Sequence, residues 1–343
     1  MGLFSKLFQK KESAAKTEIK ITVTAKMNNE TYEPDIPPYQ GDYAKTIFLW
    51  AHDKAGAVRQ NDDYARYFLY ECGISNPSYY HKELIRDGYF EKAPVTSVLN
   101  SFKVADLKQI LSSIDQPTTG KKDALIERII ETANDSVLES VCNEELYILS
   151  SVGKRFLEEH NDYVLVHKHK NWGIDWKEYD LQHRPGYSFY DTVWGILNKR
   201  IIEDKQNFGR GSYLYMYQLL EEEGKRERAI EMLLRVLYID LSGVCGMNCY
   251  QMFKQGFYTK EKLIEYFNIA IMLAPGIINP IADYKDVYND SIIDRLYEWE
   301  LPVQICNKDL FVNLVHSVMN GSYDEEKFEA QLKDAYARFV KKL

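Results

Sequence analysis

Residues 99–132 read LNSFKVADLKQILSSIDQPTTGKKDALIERIIET, two short amphipathic patterns on either side of a turn. In the first pattern Val104, Leu107 and Leu111 recur at helical spacing, which predicts one apolar helix face. The second pattern predicts another apolar stripe, formed by Leu125, Ile126, Ile129 and Ile130. The stretch therefore predicts a helix–loop–helix unit.

The end of the predicted loop combines a glycine with two cations. Gly120 can adopt a backbone conformation that residues with a Cβ disfavour. Lys121 and Lys122 follow it, at the predicted start of the second helix. Free backbone N–H groups and the helix dipole also favour an anion at such a place. This end of the loop is therefore predicted to meet phosphate.

The segment resembles the SAP motif, a helix–extended loop–helix module of many DNA-associated proteins. The residues that carry the resemblance are Val104, Asp106, Leu107, Lys108, Leu111, Pro117, Gly120, Lys121, Lys122, Leu125, Ile126, Glu127 and Arg128. The resemblance implies DNA binding, often with a preference for AT-rich or structured DNA. By position, it implies that the contact or loop residues are Lys108, Gly120, Lys121, Lys122 and Arg128.

The segment also departs from the family pattern in its loop. Ile114, Asp115 and Gln116 stand where the family usually has a basic residue, glycine and leucine, and Ser112 replaces a usual lysine. From residue 99 to 134 five basic residues are balanced by five acidic ones, so the net charge is zero. Phosphate contacts supply most non-specific affinity for DNA. We therefore expect weak binding by this unit alone, and a purely structural helical unit stays an alternative.

The composition is that of a globular protein of two or three domains. The chain has 343 residues, 45% of them hydrophobic, more than one domain usually contains. The net charge of −8 argues against a surface that tracks nucleic acid everywhere. No apolar run is long enough for a membrane span, and five irregularly spaced cysteines fit a reduced, cytoplasmic chain. Residues 1–40 are predicted to be a flexible tail, with a loose strand at 17–26.

Residues 41–98 are predicted to form a small N-terminal unit. A helix from Tyr79 to Asp87 should end at Gly88 and lead into a strand, which resembles the end of a winged-helix recognition helix. The segment 147–157 resembles the wing strand and following helix of such domains. The SAP-like unit, 99–134, would then lie between the two parts. Generic α+β packing is the alternative, because helix–glycine–aromatic junctions are common.

Residues 135–210 form an aromatic-rich linking region. A strand from Tyr163 to His167 and a helix from Ser188 to Arg200 are predicted there. His167 and His169 would share one face of the strand, where they could join His183 or Asp175 around a metal ion. A solvent-facing strand is the preferred interpretation. The cysteine group formed by Cys245, Cys249 and Cys306 is interpreted as ordinary buried thiols.

Residues 211–343 are predicted to form a C-terminal helical domain. The helices should span 214–223, 227–241, 262–273, 288–299, 309–319 and 324–341, with stops at Gly224, Pro275 and Pro302. Ser212 is the expected cap of the first, after a glycine-rich turn that could instead bind an anion. This half also resembles the C-terminal part of SAP-bearing proteins of Gram-positive bacteria and their prophages. Acidic residues outnumber basic ones from 212 to 343, 20 against 15.

The sequence thus predicts a mainly α (α+β) protein, with winged-helix/SAP-like units followed by a C-terminal helical bundle. The first functional hypothesis is a non-enzymatic, bacterial or prophage DNA-associated protein whose C-terminal helices bind a protein partner. It requires no catalytic residue, metal or cofactor, because phosphate-loop, hydrolase and zinc-protease motifs are missing. One alternative is a protein-interaction scaffold in which the SAP-like unit is only structural. Another is a metal-dependent hydrolase or nuclease that uses the His167 region.

Overall fold

The computed structural model describes residues 36–141, 145–204 and 206–343, and these residues are mainly α-helical. The predicted strand at 17–26 and most of the predicted tail lie outside them. Within the described ranges, no helix has both the length and the apolar character that crossing a membrane requires. The predicted mainly α fold class is confirmed.

The N-terminal unit combines three helices with two short antiparallel strands. These elements are α1 (Gly41–Ala51), α2 (Tyr67–Tyr70), α3 (Pro77–Arg86), β1 (Phe90–Lys92) and β2 (Tyr147–Leu149). Gly88, with φ of +83°, makes the predicted turn between α3 and β1. The buried residues Phe48, Phe68, Leu84 and Leu149 belong to one hydrophobic cluster. The second strand therefore completes a core that begins about 100 residues earlier in the chain.

The strand pair is interrupted in sequence by an inserted helical unit. Phe90 pairs with Leu149 and Lys92 pairs with Tyr147. Tyr147 also exchanges two backbone hydrogen bonds with Gly56, of 2.9 and 3.0 Å. The inserted helices are α4 (Val95–Ser101), α5 (Val104–Ser113), α6 (Lys122–Thr132) and α7 (Asp135–Val141). In sequence order, the SAP-like helices α5 and α6 therefore lie between the two paired strands.

The aromatic-rich region is helical rather than partly extended. It contains α8 (Ser151–Glu159), α9 (Asn161–Lys168), α10 (Trp176–Gln182) and α11 (Phe189–Glu203). The predicted strand from Tyr163 to His167 is wrong, because these residues lie in α9. The predicted helix after Ser188 is confirmed, and its hydroxyl accepts a hydrogen bond from the backbone of Asp191.

The metal site considered for this region required His167 and His169 on one face of a strand. The helical structure does not provide that face. The Nδ1 of His167 donates a 2.6 Å hydrogen bond to the Glu71 carboxylate, which also accepts one from the Tyr43 hydroxyl. His169 lies 3.2 Å from a carboxylate oxygen of Glu222 instead. Burial alone would raise the pKa of Glu71, but the hydrogen bonds from His167 and Tyr43 outweigh it and hold that pKa below its usual range. The two histidines thus tie α9 and the turn after it to different neighbours.

The C-terminal half is built from nine helices in the described part of the chain. They are α12 (Arg210–Glu222), α13 (Arg226–Ser242), α14 (Met247–Lys254), α15 (Lys260–Glu265), α16 (Phe267–Ala270), α17 (Pro275–Ile278), α18 (Ser291–Tyr297), α19 (Lys308–Met319) and α20 (Glu325–Lys342). Helix α13 is buried on every side from Val236 to Ser242. A helix without a polar face lies at the centre of a core, and here α12, α16, α17 and α18 pack against α13.

Two details of this half correct the sequence predictions. Ser212 does not cap α12: the helix begins at Arg210 after Gly209, whose φ is +73°, and Ser212 is buried within it. The single helix predicted over 262–273 is two short ones, because the chain turns at Tyr266 between α15 and α16. Arg210, in the glycine-rich turn considered for anion binding, is instead paired with the buried carboxylate of Asp240.

The cysteines form no metal centre in the described residues. Cys245 and Cys306 are free thiols, and burial raises the pKa of the Cys306 thiol to about 12. No group of three or more His, Cys, Asp and Glu side chains in the described ranges is arranged to hold a metal ion.

Candidate nucleic-acid interface

The two SAP-like helices pack through a small core of their own. Helices α4, α5 and α6 contribute the side chains of this core, which are fully or nearly fully buried, namely Leu99, Leu107, Leu111, Leu125, Ile126 and Ile129. Burying an aliphatic side chain of this size contributes about 1.5–3 kcal/mol. Two residues of the predicted apolar faces stay outside this core, because Val104 is 42% exposed and Ile130 is 40% exposed. The apolar faces are thus narrower than the sequence pattern indicated.

A lysine caps the start of each of these helices. Lys103 is the N-cap of α5 and Lys121 is the N-cap of α6, and both have extended backbones. The ammonium nitrogen of Lys122 lies 2.7 Å from the carbonyl oxygen of Asn100. Asn100 is three positions before Lys103, a span of at most about 11 Å. The N-termini of α5 and α6 therefore lie at the same end of the unit.

This shared end favours anions for two reasons. The N-terminus of each helix carries partial positive charge and free backbone N–H groups. The side chains of Lys103 and Lys121 are exposed there and form no ion pair with a described carboxylate. Lys108, one turn further along α5, is also exposed and has no ion pair in the described ranges. The three ammonium groups are available to an anionic ligand.

The loop between the helices is held by Arg128. One guanidinium nitrogen of Arg128 donates hydrogen bonds of 2.6 and 3.0 Å to the carbonyl oxygens of Pro117 and Thr119. Arg128 is half-buried, as is Lys122. Of the five predicted site residues, these two therefore hold the protein backbone in place. Lys108, Gly120 and Lys121 stay at the surface.

Two loop positions have backbone conformations that L-residues rarely adopt. Gly120 has φ of +130° and Asp115 has φ of +56°. Asp115 occupies the place where the SAP pattern usually has glycine, and aspartate tolerates the left-handed conformation better than most residues. The aspartate at this position therefore adopts the left-handed conformation that glycine favours.

Replacing Gly120 with alanine is expected to destabilise the SAP unit by about 1–3 kcal/mol. The cause is the backbone, since a Cβ there would lie 3.4 Å from the Ala124 side chain, an ordinary contact. Thermal unfolding of the intact chain, followed by hydrogen exchange of residues 99–134, measures the effect. The control is Ala124→Gly, in the first turn of α6, where a loss of less than about 1 kcal/mol is expected because that value applies to a helix interior. Equal protection of the loop in wild-type and Gly120→Ala protein would contradict the expectation.

Three of the five acidic residues of the unit lie along one side of α6. Asp123, Glu127 and Glu131 recur at four-residue spacing along α6 and line a shallow groove together with Ile126 and Ile130. Like charges at this spacing create a negative strip, which repels phosphate. The helix starts also carry carboxylates, because Asp106 lies in the first turn of α5 and Asp123 in the first turn of α6.

Sequence reasoning missed Lys103 as a site residue. It precedes the first apolar position of α5 by one residue, which is the place of an N-cap. The carboxylate of Asp106 accepts a 3.1 Å hydrogen bond from the backbone N–H of Lys103, as expected of a residue three positions into a helix. That spacing was the available signal.

Comparison with known families agrees with this geometry. Residues 98–133, about a tenth of the chain, match the family model of the SAP domain. The match runs from the end of α4 through α5 and the extended loop to the residue after α6. No curated protein and no solved structure matches the chain. The chain therefore contains a SAP domain, generally a DNA-binding motif, at residues 98–133.

Proposed function

We propose that this protein is a non-enzymatic DNA-associated protein that contacts DNA through its SAP domain. The observation that carries the proposal is the end of the domain where the α5 and α6 N-termini meet. Lys103 and Lys121 cap those helices, and Lys108 follows on α5. Phosphate groups bound there would be attracted both by the positively charged ammonium groups and by the positive ends of the helix dipoles. In this proposal Gly120 lets the backbone approach the ligand closely.

The proposed binding is weak and mostly independent of sequence. Discrimination between bases needs side chains that reach base edges, such as the bidentate guanidinium of arginine. Arg128 is the one arginine of the SAP domain, and its Nη1 is occupied by the loop carbonyls. The remaining cations are lysines, which act on phosphates as point charges. We therefore propose that the SAP domain recognises the phosphate backbone of DNA and its shape, and does not recognise particular bases.

We propose that the C-terminal helices bind a protein partner rather than DNA. The excess of acidic residues from 212 to 343 disfavours a polyanion. A groove of 560 Å³ between α19 and α20 supports the proposal, and its polar lining includes Gln304, Asn313, Gln331 and Arg338. Amide side chains both donate and accept hydrogen bonds, which suits a peptide main chain. A bacterial or prophage origin and a cytoplasmic location remain parts of this proposal.

The scaffold alternative keeps one observation in its favour. Lys122 and Arg128, two of the five predicted site residues, bind carbonyl oxygens of the protein itself. If the SAP domain were only structural, the exposed lysines of its helix starts would have no ligand. The two hypotheses therefore differ in one measurable property, the affinity of the intact chain for DNA.

The test is fluorescence anisotropy of the intact protein with duplex, single-stranded and branched DNA at several salt concentrations. We expect binding whose logarithm falls linearly with the logarithm of salt, with a slope of about −0.9 for each phosphate contact on duplex DNA. Three contacted phosphates would give a slope near −3. Absence of measurable binding to every DNA form at low salt would contradict the proposed function and favour the scaffold.

A further inference from the structure

A cleft of 610 Å³ lies between the SAP domain and the strand pair that carries it. One wall comes from the loop after α1, and a second wall comes from α4. Strand β2 and the first turn of α8 close the remaining side. The lining residues are Asp53, Lys54, Ala55, Ser97, Asn100, Ser101, Ile148, Leu149 and Lys154.

Backbone hydrogen bonds fix the walls of this cleft. The loop that carries Lys54 is held by the bonds between Gly56 and Tyr147 of β2. The turn of α8 that carries Lys154 is capped by Ser150, whose hydroxyl also donates a 2.6 Å hydrogen bond to the carbonyl oxygen of Gly88. The two lysines are thus presented from separate elements that meet at the same small sheet. Their placement does not depend on the SAP helices.

The chemistry of the lining suits a phosphodiester backbone. Lys54 and Lys154 are exposed, and neither forms an ion pair with a carboxylate in the described part of the chain. The side chains of Ser97, Asn100 and Ser101 add polar groups that commonly contact phosphate and sugar. Asp53 is the single carboxylate of the lining. The cleft therefore has two cations against one anion, whereas the groove along α6 is acidic.

The cleft is continuous with the proposed DNA-binding end of the SAP domain. Asn100 lines the cleft, and its carbonyl oxygen accepts the hydrogen bond from Lys122. Lys122 directly follows Lys121, and Lys103 lies three residues after Asn100. Asn100 thus joins the cleft to the end of the SAP domain that carries Lys103 and Lys121, and it also borders the acidic groove along α6.

We infer that the cleft is a second phosphate-binding surface and that Lys54 and Lys154 hold the backbone of the same DNA that the SAP domain contacts. The inference rests on the proposed function. It accounts for how a SAP domain of zero net charge gains affinity, since the N-terminal unit supplies the added cations. The DNA interface would then consist of two parts of the fold that are held together by the strands flanking the insertion.

The experiment compares the Lys54→Glu/Lys154→Glu variant of the intact chain with wild type in the duplex titration. We expect the affinity to fall at least about tenfold near 0.1 M salt, and the slope against salt to decrease by about two. The charge-matched control is Lys199→Glu/Lys254→Glu, because both of these lysines are exposed and distant in sequence from the cleft. This control should keep the wild-type slope. A Lys54→Gln/Lys154→Gln variant removes the charges without reversing them. Its loss of affinity, on a logarithmic scale, should be at least half of the loss caused by Lys54→Glu/Lys154→Glu.

Each outcome separates the inference from the function on which it rests. If both cleft variants bound duplex DNA as the Lys199/Lys254 control does, while Lys121→Glu weakened binding, the cleft would be no part of the interface. The SAP proposal would survive that result. If wild-type protein bound no DNA, the proposed function would fail and the inference would fail with it. Unchanged thermal melting of the variants shows that a loss of affinity is not a loss of fold.

Discussion

Replacing Lys108 and Lys121 together with glutamate is expected to weaken duplex binding by the intact chain by about one to two orders of magnitude. Both side chains are exposed, and neither pairs with a described carboxylate. The substitution removes two phosphate contacts and adds two repulsive charges, so the slope of affinity against salt should become shallower by about two. Anisotropy titrations from 50 to 200 mM salt measure both quantities.

Two further variants distinguish the loss of specific phosphate contacts from a change in the net charge of the protein. Lys108→Arg/Lys121→Arg keeps the positive charge and should keep most of the affinity, because phosphate contacts accept either cation. Lys199→Glu/Lys254→Glu changes the net charge by the same amount elsewhere on the chain and should leave the slope unchanged. A Lys108/Lys121 variant with the wild-type slope would remove the helix starts of the SAP domain from the interface.

Replacing Arg210 with methionine is expected to destabilise the C-terminal half by about 3–5 kcal/mol. Asp240 is fully buried in α13, and Arg210 donates two hydrogen bonds to its carboxylate, one of them 2.7 Å long. Without the guanidinium, an uncompensated charge stays in the core around α13. Chemical denaturation followed by circular dichroism measures the loss. The Arg210→Met/Asp240→Leu double variant should recover most of it, because an apolar pair leaves no buried charge.

The same variant should show a distinct dependence on pH. Burial raises the pKa of Asp240, and the ion pair with Arg210 offsets part of that effect. Removing Arg210 should therefore raise the pKa further. A carboxyl whose pKa is higher in the folded state binds more protons there, so stability is largest below its ordinary pKa and falls as the pH rises. We expect Arg210→Met to lose more stability at pH 7 than at pH 4. Equal losses at both pH values would contradict this account of the pair.

The local features of the fold follow from the sequence where a short-range pattern specifies them. The cap at Ser188, the turn at Gly224 and the N-cap of α20 at Asp324 were all readable from residue types a few positions apart. The prediction of a strand from Tyr163 to His167 was wrong, although the aromatic and β-branched residues of this stretch favour strands. Tertiary packing overrides that preference, since Val164 and His167 share the buried side of α9.

Features that depend on distant partners are specified less well. Strands β1 and β2 contain three residues each and pair across more than 50 intervening positions, so only the resemblance to a winged-helix unit linked the two segments, and no local pattern gives their register. The hydrogen bonds of Lys122 to Asn100 and of Arg128 to the loop are likewise invisible to a motif, which treats both cations as ligand contacts. The sequence located the SAP domain and its lysines. Only the fold separates the lysines that face outward from the cations that hold the protein together.

The central claim is that DNA meets the SAP domain at the shared N-terminal end of α5 and α6. The most direct test is NMR of the intact chain with lysine-selective ¹⁵N labelling, in which duplex DNA is added stepwise. The account predicts that the signals of Lys103, Lys108 and Lys121 shift first, while those of Lys254 and Lys333 in the C-terminal half stay in place. Shifts confined to the C-terminal lysines, with the three SAP signals unmoved at saturating DNA, would contradict it.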